Sequence, residues 1–540
     1  MKVLGGFMKT LYFGGDIITM VQEGDMPEVL VEENGKIIYV GSLLEGENIC
    51  KKDGKRVDLE GKTLMPAFID PHSHFSQVAQ SIMMCDLSET KNFDEIAEEL
   101  QKYQEKYKIG TEGVILGTGY DHNFLEEKAH PDKAVLDQVS DTIPIYISHA
   151  SGHMGVANSA LFKLAEIGDD RSDPEGGKFG RYPDGSMSGY IEETPALMQV
   201  LMVLMPRLQG QDMARQIELA QQLYLKYGVT TVQEGAAMGE TMQMLTQYAS
   251  VKKMDVDVVV YPMAEDYEKT VQNFAEYYPD YKDGVKIGGA KIILDGSPQG
   301  KSAWLSKPYE GEAEYRGYPT HKNEYVDEMV LKSVEGGYQI LAHCNGDAAS
   351  EQFLTSFEKA YKKAGNGQKD LRPVMIHCQT VREDQLDRMK EVHMIPSIFI
   401  GHTYYWGDIH LKNLGEKRGS YISPVKDALE RKMIYNFHQD APVTKPDMLH
   451  SVWCAVNRIT RKGMPIGQEQ CVGVYDALKG ITCNAAYEYW EEDQKGTLEV
   501  GKKANLVILD SNPLKVPKME IKDIKVVQTI KEGKIVYNRQ

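Results

Sequence analysis

The amino-acid sequence predicts an α/β fold with a (β/α)8 TIM barrel at its centre, and three observations support this prediction. In the middle of the chain, short apolar strands alternate with helical stretches, which is typical of βα units around a parallel sheet. Several of these strands end in a polar or ionisable residue, at the end where a barrel builds its active site. Both ends of the chain are rich in short strands broken by turns. We therefore expect a barrel joined to a composite β-sandwich domain.

Length and composition limit the class of protein. The 540 residues are enough for about three or four domains, or for one large barrel with attachments. Contents of 42% hydrophobic and 26% charged residues exclude collagen-like, coiled-coil and wholly disordered chains. The net charge of −18 disfavours nucleic acid or an anionic membrane as the main partner.

Cysteine usage and hydropathy predict a cytoplasmic location. The seven cysteines are an odd number without a CxxC pair, which favours reduced thiols over a disulfide framework. The N-terminal stretch lacks the pattern of a signal peptide, and no run approaches the 18 or so apolar residues of a membrane span.

The two ends of the chain, residues 1–65 and 488–540, are predicted to form the composite β-domain together. Asn34 and Gly35 lie between two apolar runs, and this residue pair tolerates the positive φ angles of a tight hairpin. A turn at Glu532 repeats the same pattern near the C-terminal end. Two independent caps, one from each end, remain the alternative.

The predicted barrel covers residues 66–487 and has eight strands. The first strand runs into the motif MPAFIDPHSH, which ends in His72 and His74. The other strands are assigned to seven apolar segments: VTTVQEG, DVDVVVYP, GAKIILDG, YQILAHCNG, RPVMIHCQ, MIPSIFIG and MIYNFHQD. About 155 residues separate the first two strands, whereas one barrel unit takes about 30. We therefore expect an insertion domain at residues 85–218 that forms a lid over the barrel mouth.

Four predicted strands end in residues of the types that bind divalent metal ions. His72 and His74 are two positions apart on a strand, so their imidazoles point the same way. His343 and His377 are 34 residues apart (377 − 343), and Asp440 follows 63 residues later (440 − 377), close to one and two barrel units of about 30 residues. Hydrogen-bonded core histidines and, for Asp440, a helix N-cap remain structural alternatives.

Six motifs along nearly the whole chain carry a family resemblance. They are MPAFIDPHSH, SHASGHMGVANSAL, AKIILDGSPQGKSAWL, HTYYWGD, HQDAPVT and GTLEVGKKANLVILD. The chain resembles the metal-dependent amidohydrolase superfamily, and more closely the branch that includes N-substituted formamide deformylase (amidohydrolase family 3).

The resemblance implies a set of six metal ligands on strands 1, 4, 5, 6 and 8. They are His72, His74, Lys291, His343, His377 and Asp440. Lys291 precedes His343 by 52 residues (343 − 291), which fits strand 4. A buried, deprotonated lysine can add carbon dioxide, and the carboxylated side chain would then bridge two ions. We expect two divalent ions, with Zn²⁺ as the leading candidate and Fe, Mn or Co as alternatives. An ordinary lysine in a site with one ion also remains open.

The resemblance further implies a hydrolase that acts on carbon–nitrogen bonds other than peptide bonds. Its substrate would be a small molecule with an amide, N-formyl or N-acyl amine group. A metal-bound hydroxide would attack the carbonyl carbon, with Asp440 as the catalytic proton shuttle. The same ions could instead hydrolyse an ester, a lactone or a phosphoester, and a non-catalytic ligand-binding protein on the same scaffold is a third alternative. A homodimer is compatible with the sequence.

Three residues outside the ligand set are candidates for substrate binding. His153 lies within the expected insertion, and His402 and Trp406 follow the seventh strand at the barrel mouth. Ordering of a loop is the alternative role for His153. Aromatic packing is the alternative for the other two residues.

Two further residues are expected to lie next to metal ligands and to fix the orientation of the ligand side chains. Gln379 follows His377 by two positions, and His438 precedes Asp440 by two positions, where it could orient the aspartate or narrow the pocket. A separate polar group at residues 120–122 has no assigned role, and a solvated loop is favoured there.

Overall fold

The computed structural model describes residues 9–150, 154–204, 213–365 and 370–539. The chain divides into two compact units. The first consists of Met1–Ser76 with Ala220–Gln540, and the second of Gln77–Leu219. No helix within the described ranges is long and apolar enough to cross a membrane.

The first unit contains two sheets of parallel strands. The first sheet has four strands, in the order Val285–Ile287, Asp257–Pro262, Val229–Ala237 and Phe68–Asp70. The second has five, in the order Ala290–Ile293, Ile340–Cys344, Val374–His377, Ile395–Ile398 and Asn436–Phe437. Nearly all of their residues are buried, as expected for parallel strands that are covered on both faces. Each of the seven apolar segments assigned from the sequence contains or overlaps one of these strands, so the predicted strand positions are confirmed.

Backbone contacts join the two sheets at both of their edges. A parallel bridge between Met263 and Lys291 links the edge strands on one side. On the other side, the Asp440 amide donates to the His72 carbonyl over 3.2 Å, and the His74 amide donates to the Ala441 carbonyl over 2.8 Å. The carboxyl ends of the first and last parallel strands therefore lie side by side.

Amphipathic helices connect most of these strands. In the helix Asn323–Gly336, the apolar residues Val326, Met329 and Val330 recur at helical spacing and are buried, and the helix ends at Gly337 with a φ of 71°. The other α-helices of this unit and its boundaries are Leu43–Cys50, Phe75–Ser81, Met213–Lys226, Gly239–Val251, Tyr267–Asn273, Asp347–Lys363, Glu383–Glu391, His402–Tyr405, Gly407–Tyr421, Val425–Glu430, Met448–Asn457, Val474–Lys479 and Cys483–Glu488. Short 3₁₀ turns cover Ala275–Tyr277, Gln468–Gln470 and Lys518–Asp523.

Strands near both ends of the chain form two further sheets. One contains Lys36–Gly41, Val29–Glu33, Thr10–Phe13 and Lys55–Asp58, in that order. The other contains Asp16–Ile17, Thr63–Pro66, Leu506–Leu509, Val526–Lys531 and Lys534–Asn538. Both predicted hairpins are confirmed: Asn34 and Gly35 have φ angles of 55° and 77°, and Glu532 and Gly533 have 47° and 74°. Strands from the two ends thus pair within one sheet.

The second unit is built on a six-stranded sheet. Its strands, in spatial order, are Lys178–Arg181, Met187–Glu192, Met154–Ala157, Ile145–His149, Ile115–Tyr120 and Cys85–Asp86. Its helices are Phe93–Tyr107, Lys133–Asp137, Ser159–Leu164 and Thr194–Leu201, with a 3₁₀ turn at Met202–Leu204. Apolar clusters around Leu100 and Leu161 form its core.

Candidate metal centre

Three side chains that follow the ends of the adjoining first and last parallel strands meet at one point. The first strand ends at Asp70, and His72 and His74 lie just beyond it. The Nε2 atom of His72 lies 3.5 Å from Asp440 Oδ1, and the Nε2 atom of His74 lies 3.2 Å from the same oxygen. Two ligands of a tetrahedral ion with bonds of 2.0–2.1 Å are about 3.3–3.4 Å apart. The three atoms therefore have the spacing of ligands to a single divalent ion.

Lys291, His343 and His377 extend this cluster from three neighbouring strands. The Lys291 Nζ atom lies 3.3 Å from His72 Nε2. The His377 Nε2 atom lies 3.0 Å from His343 Nδ1 and 4.0 Å from Asp440 Oδ2. All six side chains that the sequence nominated as ligands are thus brought together.

The environment of Asp440 fits a bound cation. Its Oδ1 atom is buried and receives no hydrogen bond of acceptable geometry from any described residue. Burial raises its pKa, but the interaction with His74 and the charges of His377 and His72 hold the pKa of Asp440 well below its ordinary value. An ionised buried oxygen surrounded by imidazole nitrogens is a donor set that suits Zn²⁺ or a similar divalent ion.

Gln233 determines which nitrogen of His72 faces the centre. The Gln233 side-chain nitrogen donates to the Pro71 carbonyl over 2.5 Å and to the Tyr489 hydroxyl over 3.1 Å. Its Oε1 atom must then accept the 2.6 Å hydrogen bond that joins it to His72 Nδ1. The Nδ1 atom therefore carries the proton, which leaves the lone pair of Nε2 for a metal ion.

His438 makes its hydrogen-bonding contact with His377. Its Nε2 atom is 3.2 Å from His377 Nδ1, and its Nδ1 atom is 3.0 Å from Ser397 Oγ. If His438 Nδ1 donates to Ser397, His438 Nε2 accepts from His377 Nδ1, and His377 Nε2 is left unprotonated. The expected orienting contact exists, but its target is His377.

His343 is held in a similar way by the loop that follows Lys291. Its Nε2 atom lies 3.3 Å from the Gly296 carbonyl oxygen and 3.1 Å from the Asn345 side-chain nitrogen, while its Nδ1 atom faces His377. Burial, reinforced by the charge of Lys291, lowers the pKa of His343 to about 4. The ring is therefore neutral at neutral pH, which is the form that binds metals.

Lys291 is buried without a carboxylate partner. Its exposed fraction is 1%, and within the described ranges no carboxylate oxygen lies within ion-pairing distance of its Nζ atom. Burial lowers the pKa of Lys291 to about 8, although the charge of Asp440 opposes this shift. A substantial fraction of the amine is consequently neutral near pH 8.

His402 and Trp406 form an aromatic cluster that adjoins the centre. The His402 Nδ1 atom lies 3.0 Å from His410 Nε2, and the His402 and Trp406 rings are 4.7 Å apart. The Phe399 ring lies 4.7 Å from His402 and 6.2 Å from His377. With an exposed fraction of 3%, His402 takes part in buried packing, and its contact with substrate stays a prediction.

The structure does not bring Gln379 to a metal ligand. The strand Val374–His377 ends at His377, whose φ of 70° turns the chain, so the alternation of a strand does not continue to Gln379. Its side-chain nitrogen instead donates to Ser423 Oγ. The expectation that Gln379 orients His377 is therefore replaced by the contact from His438. The remaining candidate, His153, lies outside the described residues.

Two contributors to the centre were missed from the sequence. Gln233 lies within the strand Val229–Ala237, and Ser397 lies in the strand Ile395–Ile398. Their only signal in the sequence is a position near the end of a strand that neighbours a ligand-bearing strand.

Comparison with known proteins gives one family and several relatives. Residues 55–537 match the model of a family described as "Amidohydrolase family". N-substituted formamide deformylase of Arthrobacter pascens is 23% identical over 98% of this chain and 98% of that protein. The protein LONG AFTER FAR-RED 3 of Arabidopsis thaliana is 26% identical over 93% of this chain and 87% of its own length. An uncharacterized metal-dependent hydrolase from Pyrococcus furiosus, a solved structure, superposes with a TM-score of 0.74 at 25% identity and covers 94% of this chain and 100% of that one.

Proposed function

The chain belongs to the amidohydrolase family, and we propose that it hydrolyses the carbon–nitrogen bond of a small N-formyl or N-acyl amine. The observation that carries this proposal is the convergence of six ligand-type side chains around an ionised, buried Asp440. The relative named N-substituted formamide deformylase supports the choice of bond.

The proposed scaffold is a (β/α)8 barrel made from the two parallel sheets. The short strands Val285–Ile287 and Ala290–Ile293 count together as its fourth strand, because both pair with the segment from Asp257 to Met263. The bridge from Met263 to Lys291 and the hydrogen bonds between the first and last strands support closure of the sheets on each other. In such a barrel, ligands from different strands converge at the carboxyl ends of the strands, where TIM-barrel enzymes have their active sites.

We propose two divalent ions, with Zn²⁺ as the leading candidate. One ion would be held by His72, His74 and Asp440, and the other by His343 and His377. Lys291, carboxylated on its neutral amine, would contribute to both. Its burial and the absence of an ion-pair partner among the described residues support this modification.

The proposed reaction uses the side chains around the carbonyl carbon of the substrate. When bound, the ions would acidify a water molecule and polarise the carbonyl group. The water oxygen forms the new bond to carbon, and the carbon–nitrogen bond breaks. Asp440 accepts a proton from the attacking water and delivers it to the departing amine nitrogen. Its lowered pKa keeps the carboxylate ready to accept that proton, and makes it a good donor afterwards.

The test uses the full chain, reconstituted with Zn²⁺ and bicarbonate, and a panel of N-formyl amines, N-acyl amines, matched esters and a phosphoester. We expect turnover of the N-formyl or N-acyl compounds in preference to the esters. No turnover of any compound at full metal occupancy would contradict the proposal and favour a binding role. Faster turnover of the esters or the phosphoester would show that the protein acts on ester or phosphoester bonds instead.

Replacement of Asp440 by Asn tests the proton-transfer role. We expect Asp440→Asn to keep its metal, because an amide oxygen can still face the ions, and to lose about 10²–10⁴-fold in kcat. Metal content is measured by mass spectrometry and kcat by steady-state kinetics. The exposed Asp493 supplies a matched control, since Asp493→Asn should leave both values unchanged. A near-normal kcat for Asp440→Asn would refute the proton-transfer role.

A further inference from the structure

A second cluster of ligand-type side chains lies within the second unit. Asp121 follows the strand Ile115–Tyr120, and His149 ends the neighbouring parallel strand Ile145–His149. His122 is the next residue after Asp121. The two strand ends therefore bring two histidines and a carboxylate together, as the parallel strands of the first unit do.

We propose that Asp121, His122 and His149 bind a divalent metal ion of the Zn²⁺ class, separate from the centre in the first unit. One nitrogen from each histidine and one carboxylate oxygen lie within 4.8 Å of one another. Two imidazoles and a carboxylate form a complete three-residue ligand set, which leaves the fourth tetrahedral position for water.

The distances between these atoms match one face of a coordination tetrahedron. His122 Nδ1 lies 3.1 Å from His149 Nε2, His149 Nε2 lies 3.4 Å from Asp121 Oδ1, and His122 Nδ1 lies 3.8 Å from that oxygen. The ideal edge for bonds of 2.0–2.1 Å is about 3.3–3.4 Å. The centre in the first unit has edges of similar length, 3.2 Å and 3.5 Å.

Hydrogen bonding alone accounts for only part of this arrangement. A proton shared between His122 and His149 explains their 3.1 Å contact. The carboxylate oxygen accepts from both Asn123 nitrogens, but its distances of 3.4 Å and 3.8 Å to the imidazole nitrogens exceed the usual N–H···O distance of about 2.7–3.2 Å. A cation at the centre of the three atoms accounts for all three distances.

The surrounding residues hold the three side chains in place. The His130 ring stacks on His122 with 4.0 Å between centroids, and His130 Nδ1 lies 3.0 Å from the Tyr120 hydroxyl. The Asn123 backbone and side-chain nitrogens each donate to Asp121 Oδ1 over 2.9 Å. Partners of this kind orient ligands and raise metal affinity in known sites. With side-chain exposures of 14% for Asp121 and 27% for His122, the cluster is also reachable from solvent.

The experiment counts metal ions in the full chain and in variants of this cluster. Each protein is stripped with a chelator and dialysed against Zn²⁺, and zinc per chain is measured by mass spectrometry. We expect His149→Gln and Asp121→Asn to bind one ion fewer per chain than the wild type, or to bind that ion at least about tenfold more weakly. His321, which packs on Tyr325 in the first unit, supplies the matched control His321→Gln with an unchanged count.

Unchanged zinc content and affinity in both variants would overturn the proposal. If either variant fails to fold, a zinc-loaded crystal of the wild type decides the question, because an anomalous peak is expected between His122 Nδ1, His149 Nε2 and Asp121. The absence of a peak there, with peaks at the first centre, would also overturn it. Hydrolysis by the first centre is measured separately, so failure of one proposal is distinguishable from failure of the other.

Discussion

Three of the four histidines of the candidate centre share one property, which is that one ring nitrogen contacts a neighbouring polar group while the other faces the cluster. The Nδ1 atom of the fourth, His74, has no hydrogen-bond partner among the described residues. Gln233 holds His72, the Gly296 carbonyl holds His343, and His438 holds His377. These partners orient the rings, and at His72 the Gln233 oxygen also fixes the tautomer, which leaves the other nitrogen unprotonated as metal binding requires.

Removal of the Gln233 amide tests this property at a single residue. In Gln233→Leu, the Nδ1 atom of His72 loses its acceptor, and the ring is no longer held in one tautomer or orientation. We expect metal affinity to fall about 10–100-fold, as measured by competition with a zinc chelator. Gln379→Leu is the matched control, because that amide donates to Ser423 and makes no hydrogen bond to a ligand among the described residues, so the metal affinity of this variant should equal that of the wild type. An equal loss in both variants would contradict the assigned role of Gln233.

At the scale of elements, buried ion pairs connect the C-terminal part of the chain to a parallel strand. Lys495 lies 2.7 Å from Asp257, in the strand Asp257–Pro262, and 2.7 Å from Glu491. Lys531 lies 2.7 Å from the other oxygen of Asp257. Loss of Lys495 leaves Asp257 with Lys531 alone and Glu491 with Lys286 alone, so two buried negative charges keep only part of their compensation.

Lys495→Met is therefore expected to destabilise the protein by about 3–5 kcal/mol, because Asp257 and Glu491 lose their shared cation. The midpoint of thermal unfolding measures the effect. Lys363→Met removes an exposed pair, in which Lys363 lies 3.2 Å from Glu335, and should cost less than about 1 kcal/mol. Equal shifts of the unfolding midpoint in the two variants would show that the buried ion pairs contribute no more to stability than an exposed ion pair.

The limits of sequence-based prediction also appear at this scale. His343 and His377 could be predicted because each ends an apolar strand, and the structure confirms the two strands. Gln233 could not, because it lies 161 residues from His72 and their contact depends on which strands pair. The contact of His149 with His122 could not be predicted for the same reason, since only the pairing of two parallel strands brings the two residues together.

At the scale of the whole molecule, carboxylates with lowered pKa values determine how stability responds to acid. Burial raises the pKa of Asp257, but Lys495 and Lys531 outweigh it and hold that pKa far below its ordinary value. Burial likewise opposes the shift at Glu351, where Arg388 helps to lower the pKa to about 2. In the unfolded chain, such groups take up protons near pH 4.

The stability that Asp257 and Glu351 contribute should therefore be fully present above about pH 5 and fall as the pH drops below about 4, because the unfolded chain then binds protons at these groups that the folded chain does not. Thermal midpoints between pH 7 and pH 3 measure this dependence. Asp257→Asn should lower the midpoint at pH 7 and reduce the dependence on acid. A midpoint that stays constant from pH 5 to pH 3 would contradict the expectation.

The pairing of strands from both ends of the chain has a consequence for synthesis on the ribosome. The strand Thr63–Pro66 leads directly into the segment that carries His72, and its antiparallel partner Leu506–Leu509 is made 440 residues later (506 − 66). The nascent chain must hold an exposed apolar edge until that partner emerges. Chaperone dependence during translation, and sensitivity to premature stop codons well beyond the last ligand, follow from this order of synthesis.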